Sequence, residues 1–119
     1  MTAGRGRIRC MSARSIALSL PEAEESDHHG IPSFRVRGKI FATVPDEDHV
    51  RVMAGEAEIH AAVAEDPVSC REFFWGTRLA CVVVDTRSAD PGLVRSLLFE
   101  AWARKAPSAL VRDHSENSS

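Results

Sequence analysis

The stretch Phe34-Arg35-Val36-Arg37-Gly38-Lys39-Ile40-Phe41-Ala42-Thr43-Val44 decides how this chain folds. Phe34 and Val36 alternate with Arg35 and Arg37, the period-two signature of a strand with one buried and one solvated face. The Arg37-Gly38 step reads as a tight turn, and Lys39 to Val44 resumes β-type residues, so the segment predicts a hairpin. Downstream, Pro45-Asp46-Glu47-Asp48 makes a polar turn and His49 to Met53 alternates again, giving a third strand and a meander. Upstream, Ser12 to Leu20 carries Ile16, Leu18 and Leu20 among alanines, with Ser12 able to cap and Pro21 to stop a short helix.

After the meander, Glu56 to Glu65 is rich in Ala and Glu, with Ile59 and Val63 four apart, and Pro67 ends this second helix. Phe73, Phe74 and Trp75 lead into Gly76, and Leu79 to Val84 is apolar and β-branched enough for a covered central strand, so a second hairpin is expected. Asp90 is a natural N-cap with Pro91 at the first helical position, and Leu93, Val94, Leu97, Leu98, Ala101 and Trp102 form an apolar stripe up to Pro107. The fold class is therefore α+β: a single domain of order α-β-β-β-α-β-β-α, an antiparallel sheet with helices packed on one face. The expected organisation is a basic flexible leader over 1–11, with Met11 a second candidate start, a domain over 12–112 and a disordered tail over 113–119.

With 119 residues and 44% hydrophobic content, the chain suits one small domain that buries roughly two-thirds of its unfolded surface, which excludes a multidomain enzyme. Three cysteines, Cys10, Cys70 and Cys81, form no CxxC pair and leave an odd count, which points to a reducing, cytoplasmic location. No apolar run approaches the ~20 residues of a membrane span, and no signal-peptide pattern follows the basic start. Arg5, Arg7, Arg9 and Arg14 make the first 14 residues basic, so the remainder holds 11 basic against 17 acidic groups, net −6. A domain of that sign binds nucleic acid only where its cations are gathered on one face.

The local gathering of cations is Arg35, Arg37 and Lys39 on the first hairpin, with Arg51 on the neighbouring strand and Arg78 at the second hairpin tip. A basic hairpin edge can lie against phosphates. The same residues also meet the plain requirement that the solvent face of a half-buried hairpin be polar. His29, Phe34 and Trp75 are candidates for a pocket holding a planar ligand or a partner, with His29 as polar anchor. Adjacent strand residues point to opposite faces, so His28 and His29 are not expected to share a metal, and His49 and His60 add no ligand spacing. No GxSxG, HExxH or clustered-glycine phosphate loop is present. No metal, no cofactor, no enzymatic activity and a monomer are expected.

The blocks HGIPSFRVRGKIFATV (29–44), FFWG (73–76), VVVD (82–85) and EAWARKAP (100–107) resemble the MmcQ/YjbR family, over residues 12–112. The resemblance implies one sheet with flanking helices, similar to the CyaY-like and secretion-chaperone-like architecture. It also implies a "double wing" of two hairpins linked to DNA binding, with Arg35, Arg37 and Lys39 on or near the first wing and Arg78 on the second. Where relatives commonly carry Gly-Gly at the first hairpin, this chain has Arg37-Gly38, which adds a cation. The family brings no established reaction or cofactor. The expectation is a weak, salt-sensitive contact with DNA, or else a non-enzymatic small-ligand or protein-interaction module.

Overall fold

Short-range alternation builds the strands, and two-residue turns set their register. A computed structural model describes residues 13–117. The leader expected over 1–11, the Ser12 cap and Cys10 lie outside these residues. Within them the chain runs from a helix over residues 13–19 (α1) into four consecutive strands, β1 (Ala23–His28), β2 (Ile31–Val36), β3 (Lys39–Asp46) and β4 (His49–Val52). Helix α2 (Glu56–Glu65) follows, then the hairpin β5 (Cys70–Trp75) and β6 (Arg78–Asp85), and finally helices α3 (Pro91–Lys105) and α4 (Ser108–Asn117).

The α+β class and the antiparallel sheet are as the sequence implies, and the expected order of elements is present with a strand and a helix added. The added strand is β1, whose sequence AEESDH carries no apolar alternation. Its pairing comes from the turn instead: His29 (φ 54°) and Gly30 (φ 82°) both take positive φ, as a type I′ loop needs, and bring His28 opposite Ile31. Glu24, Glu25 and Asp27 then leave a charged outer edge, which discourages pairing with another chain. The added helix is α4, which makes residues 113–117 helical where a disordered tail is expected. α3 ends before Pro107 as expected, and Pro107 starts a new helix, since its carbonyl accepts from the amides of Leu110 and Val111, whose side chains pack on the core.

Strand order is β1-β2-β3-β4-β6-β5, so β6 is inserted between β4 and β5 and is central. This is why Cys81, Val82, Val83 and Val84 are all buried. One sheet face carries Phe34, Val36, Val50, Val52, Val82 and Val84 into the core beneath α2 and α3. A register shift between β2 and β3 lets Phe41 and Ala42, consecutive in the chain, both enter that core. Asp90 caps α3 by accepting from the Gly92 amide at 3.0 Å, and Val94, Leu97, Leu98, Ala101 and Trp102 are buried along its inner face. Among the described residues, no helix packs on the other face of the sheet. Ser33, Thr43, Arg51 and Val83 lie side by side across it through strand pairing.

Candidate functional site

Strand direction decides which turns meet. β3, β4 and β6 pair antiparallel in succession, so β3 and β6 run parallel to each other and start at the same end of the sheet. The tips of the β2–β3 and β5–β6 hairpins therefore lie at one end, and α3, running back along the sheet after β6, ends there too. Lys39 follows the first tip, Arg78 follows the second, and both are exposed.

Two cations not singled out in the sequence complete this end. Arg104 and Lys105 occupy the last turn of α3, where positive charge also complements the helix dipole. The Arg104 guanidinium donates from Nη1 to the carbonyl oxygens of Met53 and Ala54, each at 3.1 Å, which anchors it beside the loop after β4. Partial burial, and then the charges of Arg104, Lys39 and Arg78, hold the Lys105 ammonium below the usual lysine value. Lys105 thus feels the charge of the other three. The only signal for the last two in the sequence is Arg-Lys just before Ala-Pro, which reads equally as an ordinary helix end.

A group of turn acids lies at the opposite end of the sheet. Asp46, Glu47, Asp48, Asp85 and Asp90 all lie in or beside turns there, accompanied by Arg87, which contacts Asp85 and Asp48. At the hairpin end Glu22 is engaged by Arg37, while Glu56 and Glu58 sit in the first turn of α2. Acidic side chains thus lie at both ends, whereas Lys39, Arg78, Arg104 and Lys105 gather at one.

The five expected cations divide between this end and the open sheet face, with Arg78 bordering both. Lys39 and Arg78 are at the hairpin end as described. Arg37 is also there, but its guanidinium forms a two-point pair with Glu22, through Nε to Oε1 and Nη2 to Oε2 at 3.0 Å. That contact raises the Arg37 pKa and lowers that of Glu22. Arg35 and Arg51 belong to the open sheet face: Arg35 Nε approaches Ser33 Oγ at 3.4 Å, and Arg51 lies over the Phe73 ring at 5.2 Å.

The family comparison decides the classification. The model of the YjbR family matches residues 18–104, which takes in both hairpins, the whole sheet and nearly all of α3. The chain belongs to the YjbR family. Comparison with curated proteins and with solved structures gave no further match. In this YjbR domain Lys39, Arg78 and Arg104 fall within the matched region, and Lys105 follows it directly.

The structure does not bring together the second group expected from the sequence. Phe34 is 1% exposed and faces the helices, because period-two alternation pairs it with Ala42 on the core side. Trp75 is 74% exposed and stands at the hairpin end of β5. His29 is exposed in the β1–β2 turn, at the far end of its strands. The His28 and His29 rings do meet, edge to face at 4.5 Å, since His29 has left the strand for the left-handed turn and the opposite-face rule no longer separates them. Among the described residues of this YjbR domain, no group of three or more His, Cys, Asp or Glu is placed to hold a metal ion, and no helix is long and apolar enough to cross a membrane.

Proposed function

We propose that this YjbR domain binds nucleic acid through the phosphates, at the end of the sheet where the two hairpin tips and the α3 terminus converge. The observation that carries this reading is the convergence of Lys39, Arg78, Arg104 and Lys105 with the turn acids at the other end. Two projecting turns with a cationic floor between them suit a curved polyanion, and phosphate contacts need only position charge. Net charge opposes approach from other directions, so the contact is oriented. Its affinity rests on counterion release and is weak and sequence-tolerant.

The test is fluorescence anisotropy of labelled duplex DNA at about 50 and 200 mM salt. With four phosphate contacts the log–log salt slope is about −3.6, so affinity falls by about a hundredfold over that range. Changing Lys39 and Arg78 together to Gln should flatten the slope by about two units. An absence of binding at the lower salt, or a slope unchanged in the double variant, refutes the assignment.

A further inference from the structure

The sheet face opposite the helices holds an open recess of about 370 Å³, lined by Ile31 and Ile40 from β2 and β3 and by residues of the β5–β6 hairpin. A volume of this order lies in the range of small-molecule sites. Three side chains in it have chemistry that the fold does not use.

Thr43 is the first. It is 5% exposed, faces the recess, and its Oγ1 has no hydrogen-bond partner among the described residues. A buried hydroxyl left in this way destabilises the empty protein, so valine would be the better residue if packing alone mattered. Arg51 is the second. Strand pairing sets it beside Thr43, and its guanidinium lies over the Phe73 ring without an ion pair to any described residue. A guanidinium already stacked on a ring and partly removed from water is prepared for a carboxylate, which it can hold through two parallel N–H donors. Trp75 is the third. It is 74% exposed on the same face, an unusual cost for so large an apolar side chain, and borders the recess together with Phe73.

We infer that this recess binds a small planar aromatic acid. The anionic group lies on Arg51 with the Thr43 hydroxyl as donor, and the ring lies against Trp75, between walls formed by Ile31 and Ile40. Thr43 Oγ1 is shielded in the empty recess, so binding includes a local side-chain rearrangement that exposes it. Arg78 stands at the rim and adds field without defining the pose. This inference does not rest on nucleic-acid binding at the hairpin end, and neither Thr43 nor Arg51 belongs to that surface.

The experiment is a two-dimensional amide NMR titration of the full chain with indole-3-carboxylate, its neutral counterpart indole-3-carboxamide, and a short single-stranded oligothymidylate. The carboxylate should shift the amides of Thr43, Arg51 and Phe73 and the Trp75 indole signal, with a dissociation constant on the order of a millimolar or tighter for a probe of this size. The carboxamide should bind about tenfold more weakly, as should the carboxylate to Arg51→Gln or Thr43→Val, because each loses a charge-assisted bond. Thr43→Val also serves as the folding control: its melting temperature should equal or exceed that of the parent, since it removes an unsatisfied hydroxyl. Equal binding of acid and amide, or an affinity unchanged in both variants, overturns the inference. So does perturbation of Thr43 and Arg51 by the oligonucleotide but not by the carboxylate, which would assign the recess to a nucleic-acid strand. Loss of oligonucleotide binding at Lys39 and Arg78 with retained carboxylate binding would leave it standing.

Discussion

The indole Nε1–H of Trp102 donates to the carbonyl oxygen of Pro21 at 3.0 Å, across 81 positions of sequence. Trp102 is fully buried, so this bond ties the end of α3 to the turn between α1 and β1 and satisfies the polar handle of the largest core side chain. It holds α3 in place where Arg104 and Lys105 follow.

Replacing Trp102 by Phe removes the donor, leaves the Pro21 carbonyl unpaired and opens a small cavity. The expected loss is about 2–3 kcal/mol, of which the unpaired carbonyl and the missing ring atoms supply comparable parts. A lower urea midpoint at unchanged slope would show it, and a midpoint equal to the parent's would contradict the assigned role.

Arg37 and Lys39 stand two positions apart, yet they should behave differently in DNA binding. Arg37 is held by Glu22, whereas Lys39 has no ion pair among the described residues. Arg37→Gln should leave the salt slope nearly as it is, and Lys39→Gln should flatten it by about one unit. Glu22→Gln should release Arg37 and steepen the slope by about the same amount. An effect of Arg37→Gln equal to that of Lys39→Gln would show that the Glu22 pair does not restrain it in solution.

The β2–β3 turn depends on backbone conformation more than on space. Gly38 has φ +80°, and nothing lies within 4 Å of where a Cβ would stand. Gly38→Ala should therefore cost about 1 kcal/mol through the left-handed backbone alone. Asn, which tolerates that region, should recover part of it. Thermal melts of the two variants make the comparison, and an alanine variant as stable as the parent would count against the turn geometry.

Acid should weaken the end opposite the hairpin tips. Asp85 accepts from the Arg87 guanidinium and from the Arg87 amide at 2.9 Å, and these bonds hold its carboxyl below the ordinary value. Asp46 is lowered first by its hydrogen bond to His49, with Nδ1 and Oδ1 2.8 Å apart, and then by the Asp48 amide. Because the folded values lie below the unfolded ones, the stabilisation is complete above the unfolded carboxylate pKa of about 4 and is lost as pH falls through the folded values. Urea midpoints between about pH 6 and 2.5 should decline over that lower window, and Asp85→Asn should make the decline shallower. A profile of the same steepness in the variant would exclude Asp85 as a source.

Cys70 and Cys81 are each 2% exposed, and burial pushes both thiols up to about 11. In a Cys10→Ser background the native protein should be nearly inert to a disulfide reagent at pH 8, where about one thiol in a thousand is ionised at such a pKa. Both should react on denaturation. Fast reaction in the native state would show that one of these strands opens readily.

Much of this architecture was legible locally. Alternation at Phe34 and Val36 places the first hairpin, Asp90-Pro91 starts α3, and the spacing from Leu93 to Trp102 identifies its buried face, because each is a contact between near neighbours. β1 escaped because its residues do not alternate and its strand exists only through the His29-Gly30 turn and the side of β2 it covers. The alternation that places Phe34 on the core side separates it from His29 and Trp75, whose positions depend on a turn and on the pairing of β5.

The sequence by itself determined an antiparallel α+β domain, its two hairpins and an acidic balance, all of which follow from local periodicity, turn chemistry and a sum of charges. Only the tertiary structure decided that Lys39, Arg78, Arg104 and Lys105 share one end and that Thr43, Arg51 and Trp75 share one face. Those facts depend on β6 pairing with β4 across the chain, a long-range insertion that sets which ends and faces coincide and that no short window of sequence encodes.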